Sequence, residues 1–391
     1  MRVERVKLHN FRNLRQITVD VSPRINILLG RNGQGKTNFL EALSYLALGR
    51  SFRTSRDREL IQFQQDFTRV SVQGRDARNE QFELSAALTR DGKKKLEVDG
   101  VPVQRHADLV GHLSVVRFDP DEVELAKGSP DHRRRFLDYT LSLCSAEYFR
   151  VLIEYRRATA QKNRLLKSRS SVPDAELDVW DSELVRCGVP LLAARAGTLG
   201  ELEDLAREAY SDLAPGQGRL SLQMRGTVPI EDANEDPEDR NRIAEAFSAA
   251  LVAGRGRERM MRHCLVGPHR DRLEVVLQDR SLRSYGSQGE QRTASIALKL
   301  AQGELLYERT QERPVVVLDD IFSELDRVRT EALQQRLQRE HQLFIATARI
   351  DHVLALEDWD DLRVWVVRDG ELIAVDHLDR PRLESLQEGS A

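Results

Sequence analysis

Gly30-Arg31-Asn32-Gly33-Gln34-Gly35-Lys36-Thr37 meets every fixed position of the pattern G-x-x-x-x-G-K-[ST]. Its flanks give the pattern the context it needs. Arg24-Ile25-Asn26-Ile27-Leu28-Leu29 is a short, mostly apolar run that reads as a buried strand. Beyond Lys36, the residues Phe39, Leu40, Leu43 and Leu46 recur at helical spacing, so a helix opens inside the motif. Glycines let backbone N–H groups turn inward around phosphate oxygens where a side chain would block the approach. The helix N-terminus adds partial positive charge. Lys36 is expected to reach the β- and γ-phosphates and the Thr37 hydroxyl to ligate Mg²⁺. The expected cofactors are therefore ATP and Mg²⁺, cradled by Gly30, Asn32, Gly33, Gly35, Lys36, Thr37 and Asn38.

Working outward, 391 residues allow about two or three domains. A hydrophobic content of 40% is enough to build cores. With 60 basic and 63 acidic residues the net charge is −3, so only local segregation of sign can point to a polyanion partner. Cys144, Cys187 and Cys264 are far apart and form no CxxC pair, which suits a reducing compartment. His263, Cys264 and His269 lie close in sequence but lack further ligands at zinc spacing, so ordinary structural roles are expected. The charged start Met1-Arg2-Val3-Glu4-Arg5 leads into no apolar signal region, and no run is long enough to cross a bilayer. The expectation is a soluble, cytoplasmic protein with no membrane partner.

Val3–Leu8 and Gln16–Val21 alternate like amphipathic strands around the polar turn His9-Asn10-Phe11-Arg12-Asn13. Arg50-Ser51-Phe52-Arg53-Thr54-Ser55-Arg56-Asp57-Arg58 is a basic loop. Thr68–Arg75, Gln81–Arg90 and Lys94–Val98 read as strands, with Asp91-Gly92 and Asp99-Gly100 as hairpin turns. Lys93-Lys94-Lys95 is best read as the solvated edge of a strand. After the apolar strand Ser114–Phe118 the pattern changes. Ser129-Pro130 starts a helix that breaks near Ser142–Ala146 and runs to Lys167. Ser168–Pro173 interrupts it, and Ala175–Leu213 resumes it through Leu177, Trp180, Leu184, Leu191 and Leu192. This predicts an antiparallel helical hairpin with an arm of about 33 Å. Arg150–Arg169 is strongly basic, Glu231–Asp239 is acidic and reads as a solvated loop, and Arg255–Arg262 is basic again before strand pattern returns at Leu273–Leu277.

Pro314-Val315-Val316-Val317-Leu318-Asp319-Asp320 is an apolar strand ending in two carboxylates. A phosphate-loop ATPase needs one acid there to hold Mg²⁺ and a second group to orient the attacking water. Asp319 fits the first role and Asp320 the second. Between the two halves, Ser287-Gln288-Gly289-Glu290-Gln291 opens an amphipathic helix. That start is open to two readings, a simple N-cap by Ser287 or a further anion site.

The order of these motifs, continuing into Ser323-Glu324-Leu325-Asp326, resembles the signature, Walker B and D-loop series of ABC-type ATPases. More closely, the chain resembles the RecF family of bacterial recombination-repair ATPases. The resemblance rests on Asn10-Phe11-Arg12-Asn13, on Gly30–Thr37 running into Asn38-Phe39-Leu40-Glu41-Ala42, and on Gly49-Arg50-Ser51-Phe52-Arg53. It continues through Lys127–Pro130, Arg133–Asp138, Gly267-Pro268-His269-Arg270-Asp271, Ser287–Thr293 and Leu318–Asp326. It implies an α/β ABC-type ATPase head, a mixed sheet with helices, carrying an inserted α-helical hairpin arm. The expected division is 1–129 and 265–391 for the two parts of the head and 130–264 for the arm.

The resemblance also implies that Ser287, Gly289 and Glu290 of one subunit meet the ATP held by another, in a head-to-tail homodimer. Arg12 would contact phosphate, as in related heads of the SMC group. Phe118–Glu122 contains no glutamine where a Q-loop is expected, which argues against a membrane partner. The usual switch histidine is absent from Phe344–Ala348, leaving Thr347 as its stand-in. Asp320 replaces the commoner glutamate and reaches less far, so a weak, switch-like, DNA-stimulated ATPase is expected. DNA is the expected partner, duplex or single-strand/double-strand junction, through backbone contacts from Arg50, Arg53, Arg56, Arg134, Arg156, Lys162 and Arg164. RecR, RecO and RecA are implied by resemblance alone. A transporter ATPase subunit would place its signature much sooner after Gly30, and an SMC-like chromosome ATPase would need far longer heptad arms.

Overall fold

The computed structural model describes residues 1–119, 123–168, 172–230, 239–338, 342–356 and 359–388. The chain divides into two compact units, Met1–Glu122 with Gln302–Ala391, and Val123–Ala301. In chain order the first unit contributes β1 (Arg2–Phe11), β2 (Leu14–Asp20), β3 (Ile25–Leu29), α1 (Lys36–Leu48), β4 (Phe67–Arg75), β5 (Gln81–Thr89), β6 (Lys94–Val98), β7 (Val101–Pro102) and β8 (Val115–Phe118). The second unit follows with α2 (Val123–Lys127), α3 (Pro130–Cys144), α4 (Ala146–Ser168), α5 (Asp174–Leu213), β9 (Leu220–Arg225), α6 (Arg240–Met261), β10 (Arg272–Leu277), β11 (Arg280–Ser281) and α7 (Leu282–Tyr285). The boundary back to the first unit falls inside α8 (Gln288–Thr310). Then come β12 (Val315–Asp319), α9 (Arg327–Gln338), β13 (Leu343–Thr347), α10 (Ile350–Leu354), β14 (Leu362–Arg368), β15 (Glu371–Val375) and α11 (Arg380–Glu388).

The first unit holds two six-stranded sheets. One is antiparallel, ordered β2-β1-β4-β5-β6-β7; the other is mixed, ordered β15-β14-β3-β13-β12-β8, with only β15 antiparallel. All five residues of β3 are buried, as expected of a central strand covered on both faces. α1 packs against β13, β12 and β8 of one sheet and against β4, β1 and β5 of the other. Sandwiched in this way, it buries residues all round and shows no single apolar stripe.

The second unit departs from the expected hairpin. α3 and α4 meet at Ser145, where the sequence predicts a break, and α5 runs unbroken through Pro190. The chain reversal is closed by Leu166, Val172 and Leu177 packing together. A third helix, α6, lies along α5, so the arm is a three-helix layer rather than a pair. Of the acidic stretch, Glu231 to Glu238 lie outside the described residues, and Asp239 caps α6 by accepting from Asn241 N and Arg242 N.

The expected 264/265 boundary is also displaced. β10 pairs along its length with β9, and Arg133 and Arg134 of α3 donate to the carbonyls of Leu273 and Asp271. These bonds draw 265–301, including Ser287, into the helical unit. Among the described residues no helix is long and apolar enough to cross a membrane.

Candidate nucleotide site

The loop between β3 and α1 turns through Gly33 and Gly35, both at positive φ, 83° and 121°. A side chain at Gly35 would be strained by that φ and would also meet Leu14 and Asn13. Lys36 opens α1 almost fully buried, and its Nζ donates to Gly30 O at 2.6 Å and Arg31 O at 3.0 Å. Burial holds its pKa below the usual lysine range, against the opposing charges of Asp320 and Asp319. The cradle thus presents an ammonium with two carboxylates close by.

β12 ends on Asp319, which accepts from the Thr37 hydroxyl. Its pKa is raised chiefly by burial, with Asp119 and Asp320 adding like charge and Lys36 opposing. The two expected Mg²⁺ ligands, Thr37 and Asp319, are therefore together. Asp320 takes a left-handed backbone (φ 52°), uncommon for a residue with a side chain, and its buried Oδ1 has no partner. Crowded carboxylates with an unsatisfied oxygen beside a hydroxyl fit a divalent cation. Among the described residues no group of three or more acidic, histidine or cysteine side chains is set to hold a metal unaided. A cation here would lean on substrate phosphates, as Mg²⁺ commonly does.

Thr347, at the end of β13, is buried; its backbone carbonyl accepts from Gly30 N at 3.1 Å, tying that strand to the cradle. Its hydroxyl lies 3.1 Å from His352 Nδ1. His352, which no sequence motif singles out, lies on α10. Burial lowers its pKa, helped by Arg349 and opposed by Asp320 and Asp351. Only tertiary contact reveals it, since α10 is a short element with no pattern of its own.

On the other side of α1, Arg12 lies in a left-handed turn (φ 56°) with its guanidinium bidentate on Glu41, at 3.0 and 2.8 Å. Glu41 is fully buried and also accepts from Ser51 Oγ at 2.5 Å and Arg53 Nη1 at 3.2 Å. Arg53 donates in addition to Asn38, and Asn38 to Asn13, each at 2.7 Å. The part played by Glu41 is equally hidden in the sequence. A glutamate in an apolar helix carries no sign that arginines from two other segments will meet it.

Beyond Gly33 and Gln34 a cavity of about 630 Å³ opens, lined also by Arg12, Asn13, Phe63 and Asp369. Phe63 is 83% exposed, on a turn closed by Gln65 N donating to Gln62 O.

The basic residues expected to face DNA divide sharply. Lys162 is withdrawn: it is wholly buried between Asp181 and Glu258, at 2.6 and 2.7 Å, because a cation inside the arm needs paired carboxylates. Arg53 is drawn to Glu41 and Asn38. Arg134 donates to the Asp271 carbonyl and pairs with Asp131, and Arg156 pairs with Asp138. Arg56 is exposed beside Glu59, Arg164 is exposed, and Arg50 is partly exposed.

In the second unit, Ser287 N and Oγ both donate to the Glu290 carboxylate, at 2.7 and 2.8 Å, and Glu290 N donates back to Ser287 Oγ at 3.3 Å. This reciprocal capping box is the N-cap reading realised. The Glu290 carboxylate is thus an acceptor for Ser287, one of the two residues expected to donate to the γ-phosphate.

The sequence matches the family described as RecF/RecN/SMC N terminal domain over residues 2–365. It is 36% identical to the DNA replication and repair protein RecF of Heliobacterium modesticaldum, over 95% of this chain and 99% of that protein. Against the protein of the same name from Clostridioides difficile, identity is 32% over 96% and 99%. The fold superposes on a solved structure of the recombination mediator protein RecF-ATP in the RecFOR pathway, with TM-score 0.86 and 28% identity, over 96% of this chain and 97% of that one. An Smc head bound to the C-winged helix domain of ScpA, at TM-score 0.55, 17% identity and 96% and 97% coverage, shares the fold alone.

Proposed function

The chain belongs to the RecF family of DNA replication and repair proteins, and from that membership we infer that it is an ATP-gated clamp on DNA. In this reading ATP binding pairs two copies head to tail, the pair closes on duplex or on a single-strand/double-strand junction, and slow hydrolysis releases it. The similar solved structure is of RecF with ATP, which supports the nucleotide. Family membership sets aside the transporter and chromosome-arm alternatives.

The observation that carries the reading is the meeting of the Thr37 hydroxyl with Asp319 at the mouth of the glycine cradle, beside the unpartnered Oδ1 of Asp320. Lys36, Thr37 and Asp319 would hold the triphosphate and Mg²⁺, the metal neutralising charge on the phosphate oxygens. Asp320 would orient the attacking water, and its short reach makes the enzyme slow. The cavity beside Phe63 and Asp369 would take the base and ribose. Ser287 and Gly289 would meet the γ-phosphate of the other copy, Ser287 exchanging Glu290 for phosphate. RecR and RecO are proposed partners through the RecFOR pathway to which the similar structure belongs. Loading of RecA, and residence in the cytoplasm with the DNA, follow from the same reading.

The test is molecular mass by light scattering with ATP and Mg²⁺ for wild type, Lys36→Ala and Asp320→Asn. Wild type should be a monomer without nucleotide and a dimer with it. Lys36→Ala should stay monomeric, and the Asp320→Asn dimer should outlive the wild-type one. Monomers throughout would end the clamp reading.

A further inference from the structure

Helix α4 sorts its cations into three groups. Lys162 faces inward and is consumed by Asp181 and Glu258. Arg150 and Arg156 lie on its flanks and are neutralised by Glu154 and Asp138, at 2.8 and 3.0 Å. Arg157, Arg164 and Lys167 are exposed, and no described residue makes an ion pair with any of them. Elsewhere in the same unit several arginines are paired: Arg186 with Glu154 and Glu183, Arg195 with Asp138 and Asp271, Arg255 with Asp181, Arg259 with Asp174. Arg157, Arg164 and Lys167 stand out because the three share one helix.

Their spacing places them on one face. Arg157 and Arg164 are two turns apart and nearly eclipsed, with Lys167 one turn further, so the three span about 15 Å. The intervening exposed positions are Ala160 and Gln161, which are small or neutral, and no acid follows Glu154 in the helix. The positive surface continues off the helix. Cys264 N donates to Asn163 Oδ1 of α4 at 2.6 Å, and burial lowers the pKa of the neighbouring His263, with Arg270 and Lys167 acting in the same sense and Glu258 opposing. Arg270 is fixed by the neutral carbonyl of Cys264, at 3.1 and 2.8 Å, so its charge is oriented but not cancelled.

We propose that Arg157, Arg164 and Lys167, continued by Arg270, form a ridge that tracks the phosphate backbone of DNA. This rests on the DNA-clamp reading above and locates its contact surface. The chemistry fits phosphates better than bases. One strand of a duplex presents a charge about every 3.4 Å of axis, so the ridge faces about four or five phosphates. The aromatic residues of α4, Tyr148, Phe149 and Tyr155, are all buried, so the ridge offers no aromatic ring to stack on a base. The contact should read charge and not sequence.

The experiment is fluorescence anisotropy with a labelled duplex, ATP and Mg²⁺, over a range of salt, on the full chain. The variants are Arg157→Ala, Arg164→Ala, Lys167→Ala and the triple. Because none of the three has a folded-state partner, thermal stability should be unchanged. Each single substitution should flatten the log–log salt dependence by about 0.9, and the triple should bind on the order of tenfold or more weakly at physiological salt. ATP-dependent dimerisation should persist in all of them. Arg186→Ala, which removes an ion-paired cation, should bind like wild type. A triple variant that dimerises with ATP and binds DNA with wild-type affinity and slope would overturn the ridge while leaving the clamp standing. A wild-type chain that dimerises but binds neither duplex nor a single-strand/double-strand junction would overturn both.

Discussion

Asp320 concentrates the conflict between stability and chemistry in one residue. Its φ of 52° lies in the region where L side chains are strained, at about 1 kcal/mol. Its Oδ1 is buried without a partner, which adds a desolvation cost. Both penalties fall on the residue expected to orient water. Replacing it by glycine removes the Cβ strain and the orphaned oxygen together. Asp320→Gly should therefore melt a few degrees higher than wild type while hydrolysing ATP about 10²-fold or more slowly. A thermal scan and a single-turnover assay check the two halves, and a lower melting temperature would mean that the strain is not stored there.

Residues of the site differ in how far the primary structure reveals them. Asp319 is legible because a strand-end acid beyond a phosphate loop has a fixed partner, here the Thr37 hydroxyl. Glu41 and His352 are not legible, because their roles come from Arg12 and Arg53 in one case and Thr347 in the other, all brought near by folding.

Among elements, α4 and α5 declare themselves through long apolar periodicity and a proline-marked break. α6 does not: its buried positions Ile243, Phe247 and Leu251 are diluted by alanines and exposed charges. β9 goes unnoticed because its six residues, among them Gln223 and Arg225, acquire an edge role only by pairing with β10. The turn before β10 then holds two titrating neighbours of opposite sense. His269 receives the Tyr155 hydroxyl on Nδ1 at 2.7 Å and donates from Nε2 to the Cys264 carbonyl at 3.1 Å. A second ring proton would force the Tyr155 hydroxyl to turn from donor to acceptor, and burial above all pushes the His269 pKa down to about 4.

Between pH 4 and 6.5 the unfolded chain therefore holds the extra proton, and this residue's contribution to stability rises with pH. Asp271 is pushed up to about 6 by burial, against Arg195. Between 3.8 and 6 the folded state holds the extra proton, so its contribution falls as pH rises. Each amounts to about 3 kcal/mol, and in the wild type they largely cancel. Urea denaturation followed by circular dichroism should expose them separately. Across that window Asp271→Asn should gain stability with pH more steeply than wild type, and His269→Asn less steeply. Parallel curves for all three proteins would refute the opposed pair.

For the whole molecule, the decisive question is whether a complete ATPase centre exists in one chain. The glycine cradle and the Ser287 helix start lie in different compact units, and Ser287 is occupied by its own Glu290. If the centre is shared between copies, two different defects should complement each other. A Lys36→Ala chain has no working cradle but keeps Ser287; a Ser287→Ala chain keeps its cradle but offers no donor. Each alone should hydrolyse almost no ATP. Mixed one to one, they form pairs in which the intact cradle of one chain meets the intact Ser287 of the other, giving one working centre of two. Lys36→Ala does not pair with itself, so its only pairs are mixed ones with a single ATP between them, and activity should rise above the sum of the two parts to at most about half of wild type at saturating ATP. Specific activity of the wild type should also rise with protein concentration until pairing saturates, because a centre made of two chains obeys mass action. A mixture no more active than the sum of its parts, together with a rate independent of protein concentration, would place the whole reaction within a single chain.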